Sequence, residues 1–224
     1  MSDRIDISEI KALLASEDPQ LRLRGLVALK EYGSEEAVPL LINQRHDEAF
    51  LVRSFVAMGL GRKRSEEAYA ALIEMLGAET DHNVQAEISN SLGLYGPIAA
   101  DRLKALFFSN KNWLVRRSIL AIMPELESPE KLLEISLAAL KDEDDTTAQA
   151  GMSTLSTLAG TEHEAMALQA LLPMLSSPNW RSRMYLAYAL KPFQSDEAKA
   201  TLTKLREDDH HKVVAAALED LLPS

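Results

Sequence analysis

Three features of the 224-residue sequence predict an all-α chain assembled from repeated helical hairpins. A unit of about thirty residues, seen first in Asp18 to Leu41 (DPQLRLRGLVALKEYGSEEAVPLL), returns along the chain at an even pitch. Its apolar residues recur at helical spacing. No segment alternates with period two, so strands are not expected. One hairpin cannot bury its apolar face alone, but stacked copies can, each covering the next. The expected architecture is a right-handed α-solenoid, a superhelix of about six hairpins with a capping helix at each end.

The first unit shows why these residues fold this way. Asp18 is a good N-cap, because its carboxylate accepts from the free amides of the first helical turn. Pro19 follows where its missing N–H costs nothing. Leu23, Leu26 and Val27, with the stem of Lys30, form the expected buried stripe. Gly33 suits a left-handed helix end, and Ser34 is expected to cap the second helix, with Glu35 and Glu36 at its positive end. Ala37, Val38, Leu41 and Ile42 supply that helix's buried side, and Pro39 is expected in or near its first turn, where it is tolerated.

The remaining elements follow in order as one domain over residues 1–224. Residues 6–15 predict a lone capping helix with Ile7, Ile10, Leu13 and Leu14 inward. Six hairpins follow at about 18–45, 47–77, 81–108, 110–141, 144–175 and 177–206, and a capping helix at 209–222 ends the array. The strings SEEAVPLLI and SEEAYAALI open two second helices and are the most specific internal match. Anchored on a polar residue early in each first helix (Arg22, Arg53, Gln85, Arg116, Gln149, Arg183, Lys212), the spacings are 31, 32, 31, 33, 34 and 29.

Composition narrows the function classes. The hydrophobic content of 46% suits a folded chain. Net charge is −10, and each half carries 17 acidic residues against 13 and 11 basic ones, so general nucleic-acid binding is disfavoured. There are no cysteines, which removes disulfides, thiolate metal sites and thiol nucleophiles together. The opening MSDRIDISEI lacks a secretory pattern and no apolar run approaches a membrane span, so a soluble, cytoplasmic protein is expected.

The pattern D-x-x-V-R, then small-apolar pairs, then Gly and an EEA-V-P helix, resembles HEAT repeats, and at this short pitch is most similar to the HEAT-like repeats of phycobilisome lyases and related bacterial and cyanobacterial proteins. The resemblance runs from about Asp18 to Leu222 and rests on packing and capping letters. It implies the fold, and among activities it implies chromophore lyases working in pairs, phycobilisome degradation factors or protein scaffolds. HEAT-like DNA repair glycosylases, which bind duplex on a basic concave surface, are opposed by the charge.

Several residues invite a functional reading. Arg22, Arg53, Arg116 and Arg183 sit at fixed repeat positions. They are expected to pair with an Asp or a carbonyl at the inter-repeat turn, the alternative being an acidic partner. Trp113 and Trp180 occupy equivalent places and are expected to pack on the neighbouring repeat rather than anchor a ligand. His46, His82, His163, His210 and His211 do not show converging metal-ligand spacing, and no metal is expected. The acidic run Asp142-Glu143-Asp144-Asp145 reads as a solvated loop that caps the next helix. Gly59 and Gly61 lack the strand and third glycine of a dinucleotide fingerprint. Arg45, Arg62, Lys63 and Arg64 form the one basic cluster, with Arg62 to Arg64 expected in a turn as a solvated loop or a docking patch.

Second helices are expected to line the concave face, with Asn43, Gln44, Glu74, Arg102, Glu134 and Gln169 pointing into it. These observations together predict a non-catalytic interaction or scaffold module that binds another protein through that face and needs no cofactor. The alternative, implied by the resemblance alone, is a phycobilin lyase-like or chromophore-handling subunit. Tyr69, Met184, Tyr185 and Tyr188 would then line a tetrapyrrole slot.

Overall fold

In the computed structural model, which describes residues 5–219, fourteen α-helices with short 3-10 extensions account for the regular structure, and no strand occurs among the described residues. The chain forms two compact units that divide between Leu126 and Glu127, the latter in the left-handed region at φ 50°. The division falls between the two helices of the fourth predicted hairpin.

The first unit opens with α1 (Ile7–Leu14), capped by Asp6, whose Oδ1 accepts from Ser8 N at 2.8 Å. Ile10 and Leu14 are its buried residues. Three hairpins follow: α2 (Pro19–Ala28) with α3 (Ser34–Asn43), α4 (Phe50–Lys63) with α5 (Glu66–Ala78), and α6 (His82–Gly93) with α7 (Ala100–Ser109). The unit closes on α8 (Trp113–Ile122). The second unit holds α9 (Pro129–Ala139), then α10 (Asp145–Ser156) with α11 (Glu164–Leu171), α12 (Trp180–Leu190) with α13 (Asp196–Leu205), and α14 (His211–Leu218). The end of the predicted C-terminal capping helix, 220–222, lies outside the described residues.

Within the first unit the helices form two layers: α2, α4, α6 and α8 pack on one another in chain order, and α3, α5 and α7 cover them. Small residues set the close approach in the first layer. A Cβ on Gly61 of α4 would lie 2.7 Å from Ser91 Cβ and 2.9 Å from the Ser91 backbone of α6. One on Gly93 would lie 2.9 Å from Ile122 of α8. Gly77 in α5 would meet nothing within 4 Å. The Gly-Leu pairs of the repeat are therefore packing devices, and Gly59 and Gly61 lie inside a helix. In the second unit Gly151 of α10 plays the same part against Ala139 of α9, at 2.8 Å.

Several local expectations need correction. Gly33 is not a left-handed helix end: it is the extended N-cap of α3, at φ −64°, and Ser34 is already helical, its Oγ donating to Lys63 O at 3.0 Å. In the matching copy, Ser65 is itself the N-cap and accepts from Ala68 N at 3.1 Å. The shared SEEA letters thus start helices one residue apart. Pro39 lies inside α3 rather than at its start. Val27 is not buried but 47% exposed, because Gly25 and Leu26 take the packed face of α2.

Candidate functional site

The inter-repeat turns carry a recurring polar device, built from two positions counted from each first-helix N-cap. Two residues before the cap, a side chain accepts from the cap's own N–H. Ser16, Asp47, Glu79, Asn110, Asp142, Ser177 and Asp208 all do so, at 2.8 to 3.3 Å. Four residues after the cap, a long polar side chain reaches back to the carbonyl six residues earlier. Arg22, Arg53, Gln85, Arg116 and Arg183 donate to Ser16, Asp47, Glu79, Asn110 and Ser177 O at 2.7 to 2.9 Å.

The two positions then meet between neighbours. Arg22 Nη2 donates to Asp47 Oδ1 at 2.9 Å while its Nε lies 2.7 Å from Oδ2, both side chains being buried. Arg53 holds Glu79 through Nε at 2.7 Å and Nη2 at 3.0 Å. Asn110 Nδ2 donates to Gln85 Oε1 at 2.8 Å. In the second unit Arg183 holds Asp208 through Nε at 2.6 Å and Nη2 at 2.9 Å, and reaches Asp209 at 2.7 Å. Bidentate pairing of this kind fixes orientation as well as contributing energy. The letters match across each junction: arginine faces a carboxylate, glutamine faces asparagine.

The electrostatics agree with the geometry. Burial pushes the Glu79 carboxyl up, but the Arg53 guanidinium and the amides of Asp81 and Thr80 outweigh it and hold it below its ordinary value. The hydrogen bond from Arg183 outweighs burial at Asp208 and brings that carboxyl down to about 2. Two sequence anchors fall out of register. The position four after the Asp144 cap is Ala148, not Gln149. His210 caps α14 through its Nδ1, so the equivalent there is Val214, not Lys212.

The tryptophans part company. Trp113 is 44% exposed at the start of α8. Trp180 stacks on His210 with ring centroids 4.0 Å apart and nearly parallel planes, with Arg181 over its ring at 4.5 Å and Lys212 at 5.2 Å. Among the described residues no three His, Asp or Glu side chains converge as metal ligands, and no helix is long and apolar enough to cross a membrane.

The residues assigned to a second-helix face are mostly exposed: Asn43, Glu74 and Arg102 in the first unit, Glu134 and Gln169 in the second. Glu74 is held 3.4 Å from Arg45 Nε, and Gln169 donates to Glu197 at 3.2 Å. Gln44 departs from the expectation. It lies past the end of α3, half-buried, and donates to Leu14 O at 3.2 Å, so its amide is spent on capping α1.

The basic cluster also differs from a solvated turn. Arg62 and Lys63 are the last turn of α4, and only Arg64 leaves the helix, at φ 51°. Lys63 Nζ donates to the carbonyls of Lys30 and Tyr32, tying α4 to the end of α2, and burial lowers its pKa. Arg45 donates to Ile42 O at 3.0 Å. Arg62 is exposed, and no hydrogen bond holds its guanidinium among the described residues.

Arg62 instead borders a groove that sequence reasoning missed, between α2 and α4 on the first-helix layer. Leu41 of α3 forms its floor. A Cβ on Gly59 would come 2.6 Å from Leu41 Cδ2, so only glycine seats that leucine there. Val27 and Phe55 form its walls, Met58 lies along it, and Lys30, Arg62 and Lys63 rim one end. A second cleft begins on the far side of Met58 and Arg62 and runs past Glu87, Asn90 and Leu94 to Ile122. Burial raises the Glu87 carboxyl, against the pull of Arg62 and the hydrogen bonds of Asn90 and Ser91. The signal was present in the α4 sequence: Phe55, Met58, Gly59 and Arg62 follow helical spacing along a face separate from the buried Val52, Val56 and Leu60.

Two layers of antiparallel helix pairs, joined by a repeating polar turn, define a helical repeat protein of the solenoid class. A family model described as HEAT repeats matches residues 7–93. Over residues 7–93 the chain thus carries HEAT repeats. Among solved structures it is similar to the complex of CpcE and CpcF of phycocyanin lyase from Nostoc sp. PCC7120, at 17% identity and TM-score 0.57 over 99% of this chain and 96% of that one. It is also similar to the karyopherin Kap121p bound to the extreme C-terminus of the protein phosphatase Cdc14p, at 14% identity and TM-score 0.56, covering 99% of this chain but 30% of the karyopherin. An engineered protein matches at 18% identity and TM-score 0.51, over 96% of this chain and 67% of its own. These likenesses concern the fold. No curated protein sequence matches significantly.

Proposed function

We propose that this chain is a non-catalytic interaction module that holds a protein partner. The observation that carries the reading is the division of labour among its polar groups. The repeat's buried arginines and carboxylates are consumed in turn-to-turn pairing, while the first unit leaves uncovered an apolar groove rimmed by cations. Exposed Leu94, Ile98 and Phe108, at 43 to 63%, add apolar surface in the same unit. Exposed second-helix residues offer further polar groups to such a partner, Asn43, Glu74 and Arg102 in the first unit and, separately, Glu134 and Gln169 in the second. The karyopherin with a similar fold is itself bound to a protein segment.

The intact protein, used as bait in native lysate and read by mass spectrometry, should retain a protein partner at a stoichiometric level. Turnover of a small molecule with no retained protein would overturn the reading.

A second reading, a bilin-handling subunit, draws on the similarity to the CpcE and CpcF complex along nearly the full length of both chains. Tyr69 lies in the first unit, paired with Tyr95 at 5.0 Å, whereas Met184, Tyr185 and Tyr188 belong to the second. An absorption shift of phycocyanobilin on mixing, with apo-phycobiliprotein present, would favour it. An unchanged spectrum removes it.

A further inference from the structure

We infer that the groove between α2 and α4 is the docking site for an amphipathic, acidic segment of the partner, seated with its carboxylates at the Arg62 end. The inference rests on the interaction-module reading and adds the chemistry of what is gripped.

Charge complementarity chooses the occupant. The chain as a whole carries −10, yet three cations, Lys30, Arg62 and Lys63, gather at one end of this groove. Lys63 is held by the carbonyls of Lys30 and Tyr32, and Lys30 is shared with Glu31 at 3.5 Å. The Arg62 guanidinium is held by no hydrogen bond among the described residues and is left for a ligand, while the half-buried Glu87 shares the neighbouring cleft with it. A carboxylate meeting Arg62 bidentately would gain the strongest polar contact the groove can make, whereas a basic segment would meet like charge there.

The apolar part sets the rest of the ligand. Phe55 stands seven residues before Arg62 on α4, about two helical turns or roughly 10 Å by helix rise, and Val27 lines the groove from α2. One or two aliphatic side chains placed that far from an acidic residue would fill it. Met58, unbranched and polarizable, lies between the two ends and can adapt to differing shapes.

The test uses full-length protein and two fluorescent synthetic helical peptides of equal length. One has leucines on one face and glutamates elsewhere, and the other has every glutamate replaced by lysine. The acidic peptide should bind saturably and at least about tenfold tighter than the basic one. Arg62→Glu, and separately Val27→Asp, each exposed and so tolerant of change, should weaken it by about tenfold with unchanged circular dichroism. Lys111→Glu, exposed in the turn before α8, should leave it unaltered.

Equal binding of both peptides overturns the proposal, as does absence of saturable binding or indifference to Arg62→Glu. If Arg62→Glu still captures the wild-type partner from lysate, the module reading stands and this groove is not its site.

Discussion

The two units solve the same junction differently. In the first, consecutive repeats are linked by Arg22 to Asp47, Arg53 to Glu79 and Gln85 to Asn110, an unbroken series of polar rungs. In the second, the rung between α10 and α12 is missing: Ala148 stands where arginine would be, and Ser177 where the carboxylate would be. A neighbouring contact occupies that junction instead, Asn179 Nδ2 donating to Asp145 at 3.2 Å. The comparison shows that the charged rung is optional for stacking. Where it is present, both halves are, because an arginine without its carboxylate would leave a charge taken out of water.

The largest effect should come from breaking a rung. Glu79→Ala removes the Arg53 pair together with the caps on Thr80 and Asp81, and should cost about 3 kcal/mol in denaturant unfolding. The equivalent Ser177→Ala should cost about 1 kcal/mol or less. Equal losses would erase the distinction between the units.

Next in size is the close approach within the first layer. Gly61→Ala forces a Cβ against the Ser91 backbone and should cost about 2 kcal/mol. Gly151→Ala should cost a similar amount in the second unit, where its contacts are comparable.

Transplanting a rung sharpens the comparison further. Ala148→Arg with Ser177→Asp should show a favourable coupling of about 1 kcal/mol in a double-mutant cycle, with neither single change stabilising. Smallest is Gly77→Ala, with open space around it, which should stabilise by about 0.5 kcal/mol through helix propensity.

Acid should reveal the surviving rung of the second unit. Asp208 is depressed from 3.8 to about 2, so its stabilisation is complete above the unfolded value and is lost as pH falls through about 4 to about 2. Asp208→Asn should flatten stability over that window.

Much of this was legible beforehand. Asp18, Arg22, the SEEA strings and the even pitch are repeat-level signals, and each records a local constraint: a cap, a rung, a helix start. What escaped depended on which side of a helix another helix covers. Val27 falls on the apolar stripe by spacing, but Gly25 turns the α2 face toward α1 and leaves Val27 in a groove wall. The Gln149 and Lys212 anchors slipped because Asp145 beside the Asp144 cap, and Asp208 two before the His210 cap, each offer an alternative capping residue, and only the backbone decides between them. Arg62 and Lys63 read as turn residues because three consecutive cations suggest solvent, whereas two of them complete α4 and one clasps the preceding repeat.

Asp47, Glu79 and Asp208, each two before a cap, serve their own loop and the preceding repeat's arginine at once. A copied hairpin therefore carries half of each of two locks. Duplicates keyed arginine-to-acid can be inserted between like neighbours without stranding an ion, while a copy set beside the Gln85 or Ala148 pattern would bring an unmatched one. The array's freedom to lengthen is consequently uneven, greatest near Arg22 and Arg53 and least where the polar spelling changes.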